Sequence, residues 1–156
     1  MKDFPFVWTE QTPLSTELSR PIDYISVMLL NSWLMQVTLW RSDGTGIRVH
    51  SEMIHVAERT EVGVLHFSFA SEFSPEELFA KIEPTFGLRI AVFKLIIAES
   101  GANVESGLIL AADSGDEIVI VANAFPCRLA IRGVPSILSS FEPEYPLDEY
   151  TRALIS

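Results

Sequence analysis

Residues 107–123 read GLILAADSGDEIVIVAN, two apolar runs joined through Asp113, Ser114, Gly115 and Asp116. Apolar, β-branched runs flanking such a cluster of turn residues are the signature of a hairpin. The constraint reaches beyond one turn. Strands joined by a few residues run antiparallel, because a parallel neighbour needs a crossover of a dozen residues or more, and short links recur along this chain. Asn31 and Ser32 divide a run over 24–30 from one over 33–40, Asp43 and Gly44 precede a run from Gly46, and a turn over 57–61 leads into VGVLHFSF at 62–69. Helical spacing of Ile22, Ile25, Leu29, Trp33 and Trp40 competes for 22–40. The alternation of Trp33, Met35, Val37 and Leu39 with Leu34, Gln36, Thr38 and Trp40 favours a hairpin there.

Beyond Gly87, LRIAVFKLIIA reads as a long strand buried on both faces, and a last run extends from Cys127 to Arg132. One helix is expected, starting at FSPEEL. Ser74 suits the N-cap, Pro75 the first helical position and Glu77 the third, where its carboxylate reaches back to the cap's amide; Phe73 and Leu78 complete a hydrophobic staple. Pro84 ends it. The expected fold is therefore mainly β: an antiparallel sandwich or partly closed barrel of about eight strands, with one short helix near 74–83 covering an end or edge.

The chain reads as a single domain, 1–156. Pro5, Pro13 and Pro21 among Phe4, Phe6 and Trp8 make 1–21 an extended arm without regular elements, 22–134 the β-rich core, and 135–156 an acidic aromatic tail. Composition narrows the function classes. Eleven basic residues against 21 acidic give a net charge of −10, which repels nucleic acid and anionic membranes and suits a basic protein partner. Apolar residues make up 48% and mean hydropathy is +0.28, values that call for strands buried on both faces or for a subunit interface such as a homodimer. No uninterrupted apolar span and no secretory h-region are visible, and a lone Cys127, expected as a buried core thiol, permits no internal disulfide; these features point to the cytoplasm.

GxSxG, HExxH, P-loop and GxGxxG motifs are absent, and DSGDE lacks the spacing of a calcium loop. Chemistry concentrates in GIRVHSEMIHV at 46–56. Arg48, His50 and Glu52 share one face of a strand, and a β-bulge at Met53 and Ile54 would rotate His55 onto it. Pairing with 62–69 would set Glu52 opposite His66. His50, Glu52, His55 and His66 would then offer nitrogen and oxygen ligands suited to zinc, iron or manganese. The stretch resembles the first cupin motif in Gly44, His50 and Glu52, but Glu52 stands where that family has a second histidine, the spacings to Glu58 and Gly63 differ, and no second motif follows. No cupin chemistry carries over. The competing reading is a polar outer face of a half-buried sheet.

Two further groups stand out. Arg128 and Arg132 would share a strand face and clamp a carboxylate or another anion, or pair with internal acids. FEPEYPLDEY presents Phe141, Glu142, Glu144, Tyr145, Asp148, Glu149 and Tyr150, either to a partner or as a strap on their own domain. Two functions follow as expectations. The first is a non-enzymatic interaction protein of immunity or accessory type with a basic protein partner and no cofactor. The alternative is a small metal-dependent barrel enzyme built on the histidine and glutamate cluster.

Overall fold

A computed structural model describes residues 2–81, 91–134, 137 and 141–155, with backbone alone for 80 and 81. Two sheets carry the chain. In order, the elements are β1 (Lys2–Phe4), α1 (Leu14–Leu18), β2 (Tyr24–Leu30), β3 (Trp33–Trp40), β4 (Gly46–Ala57), β5 (Thr60–Ala70), β6 (Leu78–Lys81), β7 (Ala91–Glu99), β8 (Ala102–Ala111), β9 (Glu117–Ala122), β10 (Leu129–Arg132), a 3-10 turn (Leu147–Glu149) and β11 (Thr151–Leu154). The first sheet runs β5-β4-β3-β2-β6; the second runs β10-β9-β8-β7-β11, with β1 added parallel to β8. The architecture is a sandwich and not a closed barrel.

The local reasons are those of tight antiparallel turns. Asn31 and Ser32 both adopt positive φ, 52° and 70°, the conformation that matches the twist of two strands joined by two residues. Residues 22–40 therefore form a hairpin, as their alternation predicts. Ile25, Val27, Val37, Leu39, Ile47, Val49, Leu65 and Phe67 of the first sheet meet Leu108, Leu110, Ile118, Ile120, Leu129 and Ile131 of the second. All are 5% exposed or less. The intervening residues of the second sheet, among them Leu95, Ile97, Ile109, Val119, Val121 and Ala130, enter a second buried cluster with Val62, Val64 and Tyr150, against which Phe141, Tyr145 and Leu147 pack. This two-sided burial accounts for continuous runs such as EIVIVA, which alternation alone would not produce.

Several expectations are corrected. The helix near 74–83 is absent from its described part: Pro75 and Glu76 form a turn and β6 follows at Leu78, residues 82 and 83 lying outside the described chain. The expected bond from Glu77 back to the cap's amide does form, with the Ser74 N–H donating to Glu77 Oε2 at 2.5 Å, while the Glu77 N–H donates to the Ser74 carbonyl at 3.1 Å as in a turn. They close one turn only. Glu77 Oε1 accepts from the Ser26 hydroxyl at 2.8 Å, which accepts in turn from Trp40 Nε1 at 2.7 Å, and the chain then pairs with the open edge of β2 instead of winding on.

The arm is not wholly irregular. It contributes β1 to the second sheet, a bridge from Val7 to His66, and α1, whose Glu17 is buried against Arg41 at 3.4 Å. Strands number eleven among the described residues, against about eight expected. Cys127 is exposed at φ 60° in a turn, so β10 starts at Leu129 and the thiol is no core residue.

The sheets approach closely at Gly63. A Cβ there would lie 2.7 Å from Ala122 Cβ and 2.7 Å from Ser51 Oγ. The same glycine accepts from the Ser106 hydroxyl at 2.5 Å and donates its N–H to Glu144 Oε1 at 3.1 Å. Gly63→Ala is therefore expected to lower stability by about 1–3 kcal/mol through overpacking, read as an earlier urea midpoint with an unchanged m-value. An unshifted midpoint would mean that the contact relaxes freely.

Candidate functional site

The β4–β5 ladder sets His50 directly opposite His66, with ring centroids 5.1 Å apart and planes inclined by 33°. Glu52, two residues along the same face, lies opposite Val64 and not opposite His66 as the sequence suggested. Its side chain turns back to both rings. Glu52 Oε2 is 2.9 Å from His50 Nε2 and 3.0 Å from His66 Nδ1, and the three ligand atoms lie within 4.8 Å of one another. Glu52 is exposed, His50 is half-buried and His66 is mostly covered.

Electrostatics follow from that placement. The hydrogen bond from His50, together with the two neighbouring imidazoles, holds the Glu52 carboxyl below its ordinary value against a small desolvation cost. Burial pushes the His66 imidazole down, with the Glu52 carboxylate pulling the other way.

His55 does not join the trio. The ladder runs unbroken from Gly46 to His55, and its irregularity falls between His55 and Ala57, one step too late to rotate His55 across. It stays on the opposite face, 76% exposed, 3.0 Å from Glu61. Packing explains the position of the bulge: Ile54 and Val56 lie against the cluster holding Val62 and Val64, and a bulge at Met53 would turn them outward.

The arginines do not form a clamp. Arg128 precedes β10 with its guanidinium 3.2 Å from the Trp33 ring centroid and 4.8 Å from that of Phe125, whereas Arg132 lies 5.1 Å from the Phe141 ring. Among the described residues, aromatic faces and not carboxylates hold both.

The tail residues divide. Phe141, Tyr145 and Tyr150 pack on the second cluster, Glu144 accepts from Gly63, and Tyr145 donates to Glu99 Oε2 at 3.2 Å. Burial raises both tyrosines well above the usual phenol range. Glu142, Asp148 and Glu149 face solvent. The segment thus straps its own domain, with β11 pairing to β7.

A second arrangement escaped the sequence. Trp40 meets the Phe73 ring edge-on at 4.9 Å, and Phe73 meets Phe79 at 4.9 Å. With Tyr24, Asp23, Arg41, Ser42 and Gly44 they line a cleft of about 460 Å³. Tyr24, Phe73 and Phe79 are 44%, 60% and 47% exposed, so these aromatic residues of the cleft face solvent together. Beside them β6 pairs only with β2 among the described residues. The signal was present in SEFSPEELF, where Phe73, Leu78 and Phe79 flank a turn, but its capping pattern read as a helix with a staple.

Comparison with protein-family models, with curated proteins and with solved structures gives no match to this chain.

Two substitutions test the strap. Tyr150→Ala should cost about 3 kcal/mol, as other buried aromatic truncations do, seen as a lower melting temperature. Glu144 tests its electrostatics: burial raises its carboxyl, with the Gly63 N–H opposing. The unfolded chain then loses this proton at lower pH than the folded one, so between the two values this group's contribution to stability falls as pH rises. Glu144→Gln keeps the acceptor without the charge. It should flatten that slope in melting curves from about pH 4 to 7 and raise stability at the upper end; superimposable curves for the two proteins would rule the effect out.

Proposed function

We propose that this protein is a binding module that takes an extended, basic segment of a partner protein along the edge of β6 that no described residue pairs, with an aromatic or apolar side chain of that segment in the cleft of Tyr24, Trp40, Phe73 and Phe79. The observation that carries the reading is the coincidence of an aromatic cleft with a strand edge. Strand addition supplies affinity through main-chain hydrogen bonds and specificity through pockets for alternate side chains. Solvent-facing apolar groups gathered at one site are the usual mark of an interaction surface.

Charge selects the partner class. The chain carries −10 overall, Asp23 lines the cleft, and Glu72 and Glu76 are exposed in the flanking turn. Arg41, the one cation among the described lining residues, is 5% exposed and already bound to Glu17. Such a rim attracts lysine and arginine and repels acidic segments. A role of immunity or accessory type would need such capture and no catalytic step.

The test uses a fluorescent, extended lysine-rich peptide with one central tryptophan, and its serine counterpart, titrated with the whole protein in an anisotropy assay. The tryptophan peptide should bind at least about tenfold more tightly, as burial of one aromatic side chain implies. Phe73→Ser with Phe79→Ser should abolish the difference, and added salt should weaken binding. Equal affinity for both peptides, or unchanged binding by the double variant, would sink the proposal. So would sedimentation showing a dimer that the same double variant converts to monomer, because a second copy would then hold the edge.

A further inference from the structure

We propose, independently of the partner-binding reading, that His50, Glu52 and His66 form a binding site for one divalent transition-metal ion, with zinc the best match to the donor set. Two imidazole nitrogens and a carboxylate oxygen are ligands that zinc takes from proteins, and three protein donors with an open fourth position is a common arrangement. Calcium and magnesium fit poorly, since both prefer shells built of oxygen. The donor atoms would be His50 Nε2, His66 Nδ1 and Glu52 Oε2, which already lie within 4.8 Å of one another.

Bonds of about 2.0–2.1 Å in a tetrahedral arrangement place ligand atoms roughly 3.3 Å apart. The two contacts to Glu52 are 2.9 and 3.0 Å, so the carboxylate has to withdraw by a few tenths of an ångström while the imidazoles close on the ion. Side-chain rotation suffices for this. The backbone is already set by the β4–β5 ladder, in which His50 and His66 are direct partners, and on its far side Val7 pins β5 by donating to the Leu65 carbonyl at 3.0 Å and accepting from the Phe67 N–H at 2.9 Å.

A polar sheet face explains mixed charges but not this convergence. His55 and Glu61, on the same hairpin, form an ordinary pair at 3.0 Å with no third ligand among the described residues. Arg48 shares the face of His50 and opposes a cation, so affinity would rest on direct bonds and not on a general negative field.

The ion would join two strands in the folded chain only, and so should stabilise it. The untagged protein, dialysed against chelator, is titrated with zinc chloride by calorimetry and melted with and without the ion. One ion per chain is expected, with a melting temperature raised by about 5–10 °C at a hundredfold excess over the dissociation constant. His50→Ala and Glu52→Gln should each weaken binding at least tenfold and lose the shift, while His55→Ala keeps both. Cobalt(II) should give the intense visible bands of a four-coordinate site in the parent and lose them in His66→Ala. The circular dichroism of each variant without metal establishes that it is folded. Absence of zinc heat and of a melting shift in the parent would overturn the proposal, as would binding that survives His50→Ala with Glu52→Gln or that disappears in His55→Ala.

Discussion

The second sheet is apolar on both faces, and the rest of the molecule is arranged around covering them. Its inner face meets the first sheet, whereas its outer face receives Phe141, Tyr145, Leu147 and Tyr150 from the last described segment of the chain. A sandwich with one solvated face per sheet would need no such cover. Gly63 is where the two requirements meet, because it lets β5 reach Ala122 while its amide holds Glu144 and its carbonyl accepts from Ser106. The same burial gives the high apolar content a home inside one chain, so composition alone is no argument for a second subunit.

The mainly antiparallel sandwich was legible because its information is local. Asn31 and Ser32, or Asp113 to Asp116, specify a turn through the conformations that short polar residues and glycine accept, and alternation or continuous apolar runs specify the strands. What was illegible depended on distant partners. Ser74 and Glu77 make the hydrogen bonds of a helix start, yet the same bonds fit a single turn, and the choice is made by Ser26 and Trp40, far away in sequence. The position of the β4 irregularity was hidden for a related reason: Ile54 and Val56 had to stay with the second cluster, a contact no local pattern announces. His50, Glu52 and His66 were recognisable as a group, while His55 was excluded by one step of register.

The two candidate sites use the first sheet in different ways. The His50, Glu52 and His66 trio sits on a strand face, its geometry fixed by ladder register. The aromatic cleft sits at the β6 edge, its geometry fixed by the buried chain from Trp40 through Ser26 to Glu77. That chain crosses β3, β2 and the turn before β6, so the cleft wall is anchored to the interior although Phe73 and Phe79 are largely exposed. Surface aromatics held this way lose little freedom on binding, which lowers the entropic cost of association.

The strap also sets an order of events during synthesis. Strands β7 to β10 can pair as soon as they leave the ribosome, but the cluster they share with Val62 and Val64 of β5 stays incompletely covered until residues 141–155 have been made, and β11 then closes on β7 from the other end of the folding unit. Through that interval the part of this cluster that Phe141, Tyr145, Leu147 and Tyr150 complete stays open to solvent, the kind of apolar surface on which incomplete chains aggregate or recruit chaperones. A ribosome stalled just short of Phe141 would therefore carry a largely paired β protein that behaves as a sticky one.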